Sequence, residues 1–209
     1  MNRLADSIML LPDEPGIQEA LKRMAHSVMQ PGARSLSQGK DALWEIALLA
    51  DLRKTGMPAR AAEPDIMVAL GMVDYPIACK KIWSEANVTG QIKKGTRQLA
   101  KFEKKGIIAL NLDDLTPPGR VIYDRNGTAA KRFLTELNMS FVERHRYTLQ
   151  RPVKEGKCDG FIISTTAAAV LAEEEQPFNL VTQTSLWHIK ESTPGASERF
   201  MAFGRVYGQ

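Results

Sequence analysis

Cysteine is almost missing from this chain. Cys79 and Cys158 are the two among 209 residues, too few for a disulfide scaffold and with no CxxC pair for zinc or redox work. Histidine is equally sparse, and His26, His145 and His188 are too scattered to define a metal cluster by spacing. There is no long hydrophobic run. The longest weakly polar stretch, Phe161 to Ala172, is broken by Ser164, Thr165 and Thr166 and falls short of the roughly 20 apolar residues that cross a bilayer. No membrane partner is therefore expected. The first residues, with Asp6, Asp13 and Glu14 around a short apolar patch, lack the apolar segment of a secretory signal, so the expected location is cytoplasmic. Without such a signal the sequons at Asn87, Asn126 and Asn138 carry no meaning. Neither G-x-S-x-G nor the P-loop pattern occurs, and no local motif ties a cysteine to a histidine, which leaves a serine or cysteine hydrolase with little support. There is no internal repeat.

What is present is ordinary globular material. The composition is 44% hydrophobic and 25% charged, which excludes disorder, collagen or a coiled-coil rod for the chain as a whole. At roughly 150 residues per domain, the length suggests one large domain or a domain with an extension. The net charge of +4 and pI near 9.1 permit nucleic-acid binding without requiring it.

Periodicity supplies the organisation. A helix is predicted over Ile17–Met29, a linker from Pro31 to Ser37 and a second helix over Lys40–Lys54 that stops at Gly56 and Pro58. The pattern then shortens to strand-like runs at Met57–Ala62, Asp65–Leu70 and Pro76–Lys80. A long helix over about 86–105, with Gly106 as its C-cap, leads to a buried strand at Ile107–Leu112. A further helix is expected at Thr128–Arg144 and strands near Gly160–Thr165 and Leu180–Ile189, with the last fifteen or so residues irregular. These elements imply an α/β fold with a mixed central sheet flanked by helices. The expected divisions are an N-terminal helical extension (1–36), a single α/β domain (37–190, core 40–115) and a C-terminal tail (191–209).

Three features of the core exceed simple packing. Glu45 falls within the apolar stripe of Leu48, Leu49 and Leu52 on its helix. A carboxylate there must find a cation, a metal or a proton, unless it escapes to solvent past Asp41. Asp65, after Pro64 at one strand's entry, and Lys80 at the next strand's exit can meet across a hairpin; read singly, they are a turn former and a strand-end charge. Acids beside a lysine are what magnesium-assisted phosphodiester hydrolysis needs. On the following helix Lys93, Lys94, Arg97, Lys101, Lys104 and Lys105 share one face, bordered by Gln91 and Gln98. Such a face can track phosphates, or it can be a solvated surface.

The order of these elements, with Glu45 on a helix, Pro64-Asp65 opening a strand, Lys80 closing the next and Gln98 on the helix after, resembles the restriction-endonuclease-like PD-(D/E)XK nuclease family over about Lys40 to Leu115. The Ile77-Ala78-Cys79-Lys80 string is also similar to one in a group of uncharacterised bacterial proteins. The nuclease resemblance implies Glu45 and Asp65 as catalytic acids and magnesium ligands, the Cys79 carbonyl as a further ligand, and Lys80 as the catalytic lysine. The basic helix face puts nucleic acid against Lys93, Lys94, Arg97, Gln98 and Lys101, and a homodimer is an allowed assembly. The chain departs from the family at Ala78, where a second acid is the rule. Two readings follow: a Mg-dependent nuclease, or a catalytically degenerate relative that binds nucleic acid or a protein without cleavage.

Overall fold

The computed structural model describes residues 3–30, 33, 36–103, 105–117 and 119–208. Two N-terminal helices, α1 (Arg3–Met9) and α2 (Gly16–Ala25), precede the longer α3 (Gln38–Lys54). α3 starts where the Ser37 hydroxyl accepts the Lys40 N–H, and it carries Asp41 in its first turn and Arg53 and Lys54 in its last, each complementing the helix dipole. It ends at Gly56, which takes a positive φ of 82°.

β1 (Ala59–Ala62), β2 (Asp65–Leu70) and β3 (Val73–Lys81) form an antiparallel meander in which Ile66 lies opposite Ile77. α4 (Val88–Leu99) then returns the chain, so that β4 (Ile107–Asn111) pairs parallel to β3. Helix, three strands, helix, strand is the order expected from the sequence. The chain continues through β5 (Val121–Asp124), α5 (Gly127–Arg144), α6 (Arg146–Lys154), β6 (Gly160–Leu171), β7 (Phe178–Trp187) and α7 (Ala196–Tyr207). Among the described residues, seven strands make one mixed sheet in the order β1-β2-β3-β4-β6-β5. β4 and β5 pair with successive stretches of one edge of β6, and β7 runs antiparallel along its other edge.

Helices cover both faces, so β4 is buried at every position and reads as a continuous apolar run rather than an alternating one. Along β3 the alternation of side chains sends Ile77 and Cys79 into a core shared with α2, α3 and α7, while Ala78 enters a second core beneath α4, α5 and α6. No helix among the described residues is long and apolar enough to cross a membrane.

Several expectations need correction. The first long helix stops at Ala25 rather than Met29, and β5, α1 and α6 have no counterpart in the periodicity reading. The N-terminal segment is part of the core, since Leu11, Ile17, Ala20 and Met24 pack with α3. Helix α4 ends at Leu99, not at Lys105: tighter turns follow, with the Lys101 and Phe102 amides bonded three residues back, and the Lys105 ammonium donates to the Ala100 and Phe102 carbonyls. Lys104 lies outside the described residues. Gly106 is no C-cap. A β-carbon there would come within 1.8 Å of the Pro76 carbonyl oxygen, so its hydrogen side chain is what lets β4 dock on β3. The C-terminal segment is not irregular, because α7 inserts Phe200 and Phe203 into the first core.

Candidate functional site

The site lies at the end of β3, between α3 and α4. The β2–β3 register brings Asp65 against the Cys79–Lys80 segment. The Asp65 Oδ2 accepts the Cys79 N–H at 2.7 Å and the Lys80 ammonium at 3.2 Å. The same ammonium donates to the Cys79 carbonyl. From α4, the Gln98 Nε2 donates to the Pro64 carbonyl at 3.4 Å, while its Oε1 is buried without a hydrogen-bond partner among the described residues. Asp65 and Lys80 therefore meet, as the hairpin reading expected, with Cys79 bonded to Asp65 and Gln98 to the neighbouring Pro64 carbonyl.

Glu45 takes the first of the alternatives open to a carboxylate in an apolar stripe: it finds a cation. Arg23, from α2, donates two hydrogen bonds to it, at 2.8 and 3.3 Å. That fork raises the Arg23 pKa above its ordinary value, with the Asp41 and Asp65 charges adding to the effect, so the guanidinium sits in the field of three acids. Arg23 was invisible to the sequence reading. The available signal was its place on the border of the Ile17–Ala20–Met24 stripe.

Burial is the main reason that the Asp65 carboxyl is pushed up to about 6; the Lys80 charge opposes this and the Glu45 charge adds to it. Asp41 is also raised, again chiefly by burial, with Lys81 opposing. Lys81 itself pairs at 3.0 Å with Asp114, which follows β4.

These groups open onto a cleft of about 710 Å³ lined by Glu45, Lys80, Lys81, Lys94, Arg97 and Lys101, among others. A cavity of about 380 Å³ adjoins it through Glu45 and is lined by Arg23, Glu63 and Asp65. Of the predicted basic contacts, Lys94, Arg97, Lys101 and Gln98 line the cleft, whereas Lys93 is exposed and outside its lining. Lys101 approaches Glu63 at 3.9 Å. Lys94 and Arg97 have no acidic partner among the described residues.

The donor set matches a magnesium ion only in part. Glu45, Asp65 and the Cys79 carbonyl offer oxygen, but both Glu45 oxygens accept from Arg23 and the Cys79 carbonyl accepts from Lys80. At Ala78 there is no side-chain oxygen at all. Among the described residues no group of three or more His, Cys, Asp or Glu side chains is gathered as a metal site.

The Asp65 environment gives a measurable pH effect. Its carboxyl moves from an ordinary 3.8 to about 6 on folding, so between these values the folded protein holds a proton that the unfolded chain has released. Stability therefore falls as pH rises through this window, and the full cost is present above pH 6. At about 1.4 kcal/mol per pH unit, that cost is at most about 3 kcal/mol. Asp65→Asn mimics the protonated form, and should melt above the wild type at pH 7.5 and alongside it near pH 4. A variant that melts below the wild type at pH 7.5 would show that Lys80 and the Cys79 N–H outweigh burial.

No protein-family model, curated protein or solved structure matches this chain.

Proposed function

We propose that this chain binds nucleic acid in the cleft between α3 and α4 of a restriction-endonuclease-like core, and holds it without cutting. The observation that carries the reading is the pair of unpartnered cations, Lys94 and Arg97, standing on one helix at the wall of an open cleft. Exposed cations in a concave site attract a phosphate backbone and release its counterions when it binds. Lys101, just beyond the helix end, continues the row. Restraint from cleavage follows from the closure of Glu45 by Arg23 and from the alanine at position 78.

The test is the salt dependence of binding. Wild-type affinity for a short oligonucleotide should fall steeply with salt. Replacing Lys94, Arg97 and Lys101 together by Ala should weaken binding at low salt and reduce the slope of log K against log salt by about 2 to 3. An unchanged slope would remove α4 from the interface, and no binding at low salt would sink the reading.

A second reading, Mg-dependent phosphodiester cleavage, is favoured by one observation, the contact of Lys80 with Asp65. Glu45, Asp65 and the Cys79 carbonyl would hold the ion, and Lys80 would stabilise developing negative charge. That reading requires Arg23 to release Glu45.

A further inference from the structure

Three tryptophans could report on, or take part in, a nucleic-acid site, and they are placed very differently. Trp44 lines the cleft but is 3% exposed and belongs to the core. Trp187 packs its ring near Phe161. Trp83 lies two residues beyond the end of β3, is partly exposed, lines the same cleft and has no aromatic partner among the described residues. Its indole borders the cleft two residues from Lys81.

The second observation is Gln91. It lies one turn before Lys94 on α4 and is only 6% exposed as a residue, and its side-chain amide makes no hydrogen bond to the described residues and is not among the buried unpartnered groups, so the amide keeps contact with the water of the cleft. An amide whose donors and acceptor are met by water alone can exchange that water for a ligand's hydrogen bonds. Gln91 also lines the cleft. A water-facing amide on a cleft wall, with a partly exposed indole lining the same cleft and cations one and two turns along the helix, is a set of parts for one base and its phosphates.

We propose that the cleft accepts single-stranded nucleic acid, with one unstacked base lying on Trp83 and presenting its hydrogen-bonding edge to Gln91. Lys94 and Arg97 hold the adjoining phosphates. This rests on the nucleic-acid reading above and narrows it. In a duplex the base faces are covered by their neighbours and the pairing edges are used, so neither the indole nor the amide would find its complement; a single strand offers both. Stacking tolerates any base, since each has a π face, whereas the amide favours a base with a donor and an acceptor side by side.

The experiment compares a short labelled single strand, the same sequence as a duplex, and the single strand with abasic sites, all at low salt. Wild-type protein should bind the single strand best, lose roughly tenfold or more on the abasic strand, and show tryptophan quenching with the intact strand. Trp83→Ala should lose a similar factor with an unchanged salt slope. Trp83→Phe should keep most of the affinity and lose the quenching, which assigns the signal to Trp83 rather than Trp44. Gln91→Leu should weaken the intact strand and leave the abasic one unchanged. Duplex bound as tightly as single strand, or an abasic strand bound as tightly as the intact one by the wild-type protein, would overturn the stacking proposal while leaving phosphate binding in place. No binding of any strand would overturn the nucleic-acid reading itself and this proposal with it.

Discussion

Replacing Arg23 by Ala should lower the stability of the protein by about 2 kcal/mol at neutral pH and make that stability respond to magnesium. Removing one member of a buried ion pair typically costs about 3 to 5 kcal/mol, because the other charge is left without compensation. Here the Arg23 and Glu45 side chains keep 32% and 21% of their exposure, and solvent screening reduces the figure. What remains in the variant is Glu45 beside its acidic neighbours Asp41 and Asp65, which repel it, with Lys80 and Lys81 the cations left along the same cleft. A divalent cation would relieve the repulsion. Denaturant melts with and without Mg²⁺ should therefore show the ion stabilising Arg23→Ala and leaving the wild type unmoved. Equal ion effects on both proteins would mean that Arg23 yields Glu45 readily, strengthening the cleavage reading. No loss of stability would show that water serves Glu45 as well as the guanidinium does.

The larger effect belongs to Ala78→Glu, which places an acid at the position that the nuclease resemblance would match to a second acid. Ala78 is fully buried, in a core with Ile82, Val88, Ile92, Leu99 and Ile108. A glutamate there must displace packed apolar side chains and lose its hydration, and the expected cost is more than about 4 kcal/mol. With the neighbouring acids already compensated by Arg23 and Lys80, magnesium should recover little of the loss. Melting temperature with and without the ion, together with cleavage of a plasmid or an RNA, decides the matter. A variant that folds stably with Mg²⁺ and gains ion-dependent cleavage would establish the nuclease reading and displace the binding one.

The two predictions differ in how far their premises were visible in the sequence. That Glu45 needs a partner followed from its place in a helical stripe, and that Asp65 and Lys80 meet followed from a hairpin with a short turn. The β2 boundaries, Asp65–Leu70, coincide with the run read from the residues. These are local inferences, in which periods of 2 and 3.6 residues translate directly into faces. The identity of the Glu45 partner was not local. Arg23 lies 22 positions away, on another helix, and nothing in either segment specifies the approach. The same holds for Arg199, which forks onto the buried Asp159 at 2.7 and 2.8 Å across 40 positions and ties α7 to the start of β6. The spacing of Phe200, Phe203 and Tyr207 had a helical period but lay in a segment read as a tail. The end of α4 was misplaced because its charged pattern continues past Leu99, whereas the chain must turn there to reach β4.

Gly106 bears on how a map of mutational tolerance for this molecule would look. Any side chain at position 106 would drive its first carbon into the Pro76 carbonyl, forcing β4 away from β3 and disturbing the strand that carries Lys80 and Lys81. A complete single-substitution survey scored by activity would therefore rank this glycine with the residues of the cleft, although it offers a ligand nothing. Scored by abundance as well, position 106 would fail in both columns, while on the binding proposal Lys94 and Arg97 would fail only in the first, and that contrast would separate the scaffold's requirements from those of the proposed binding surface.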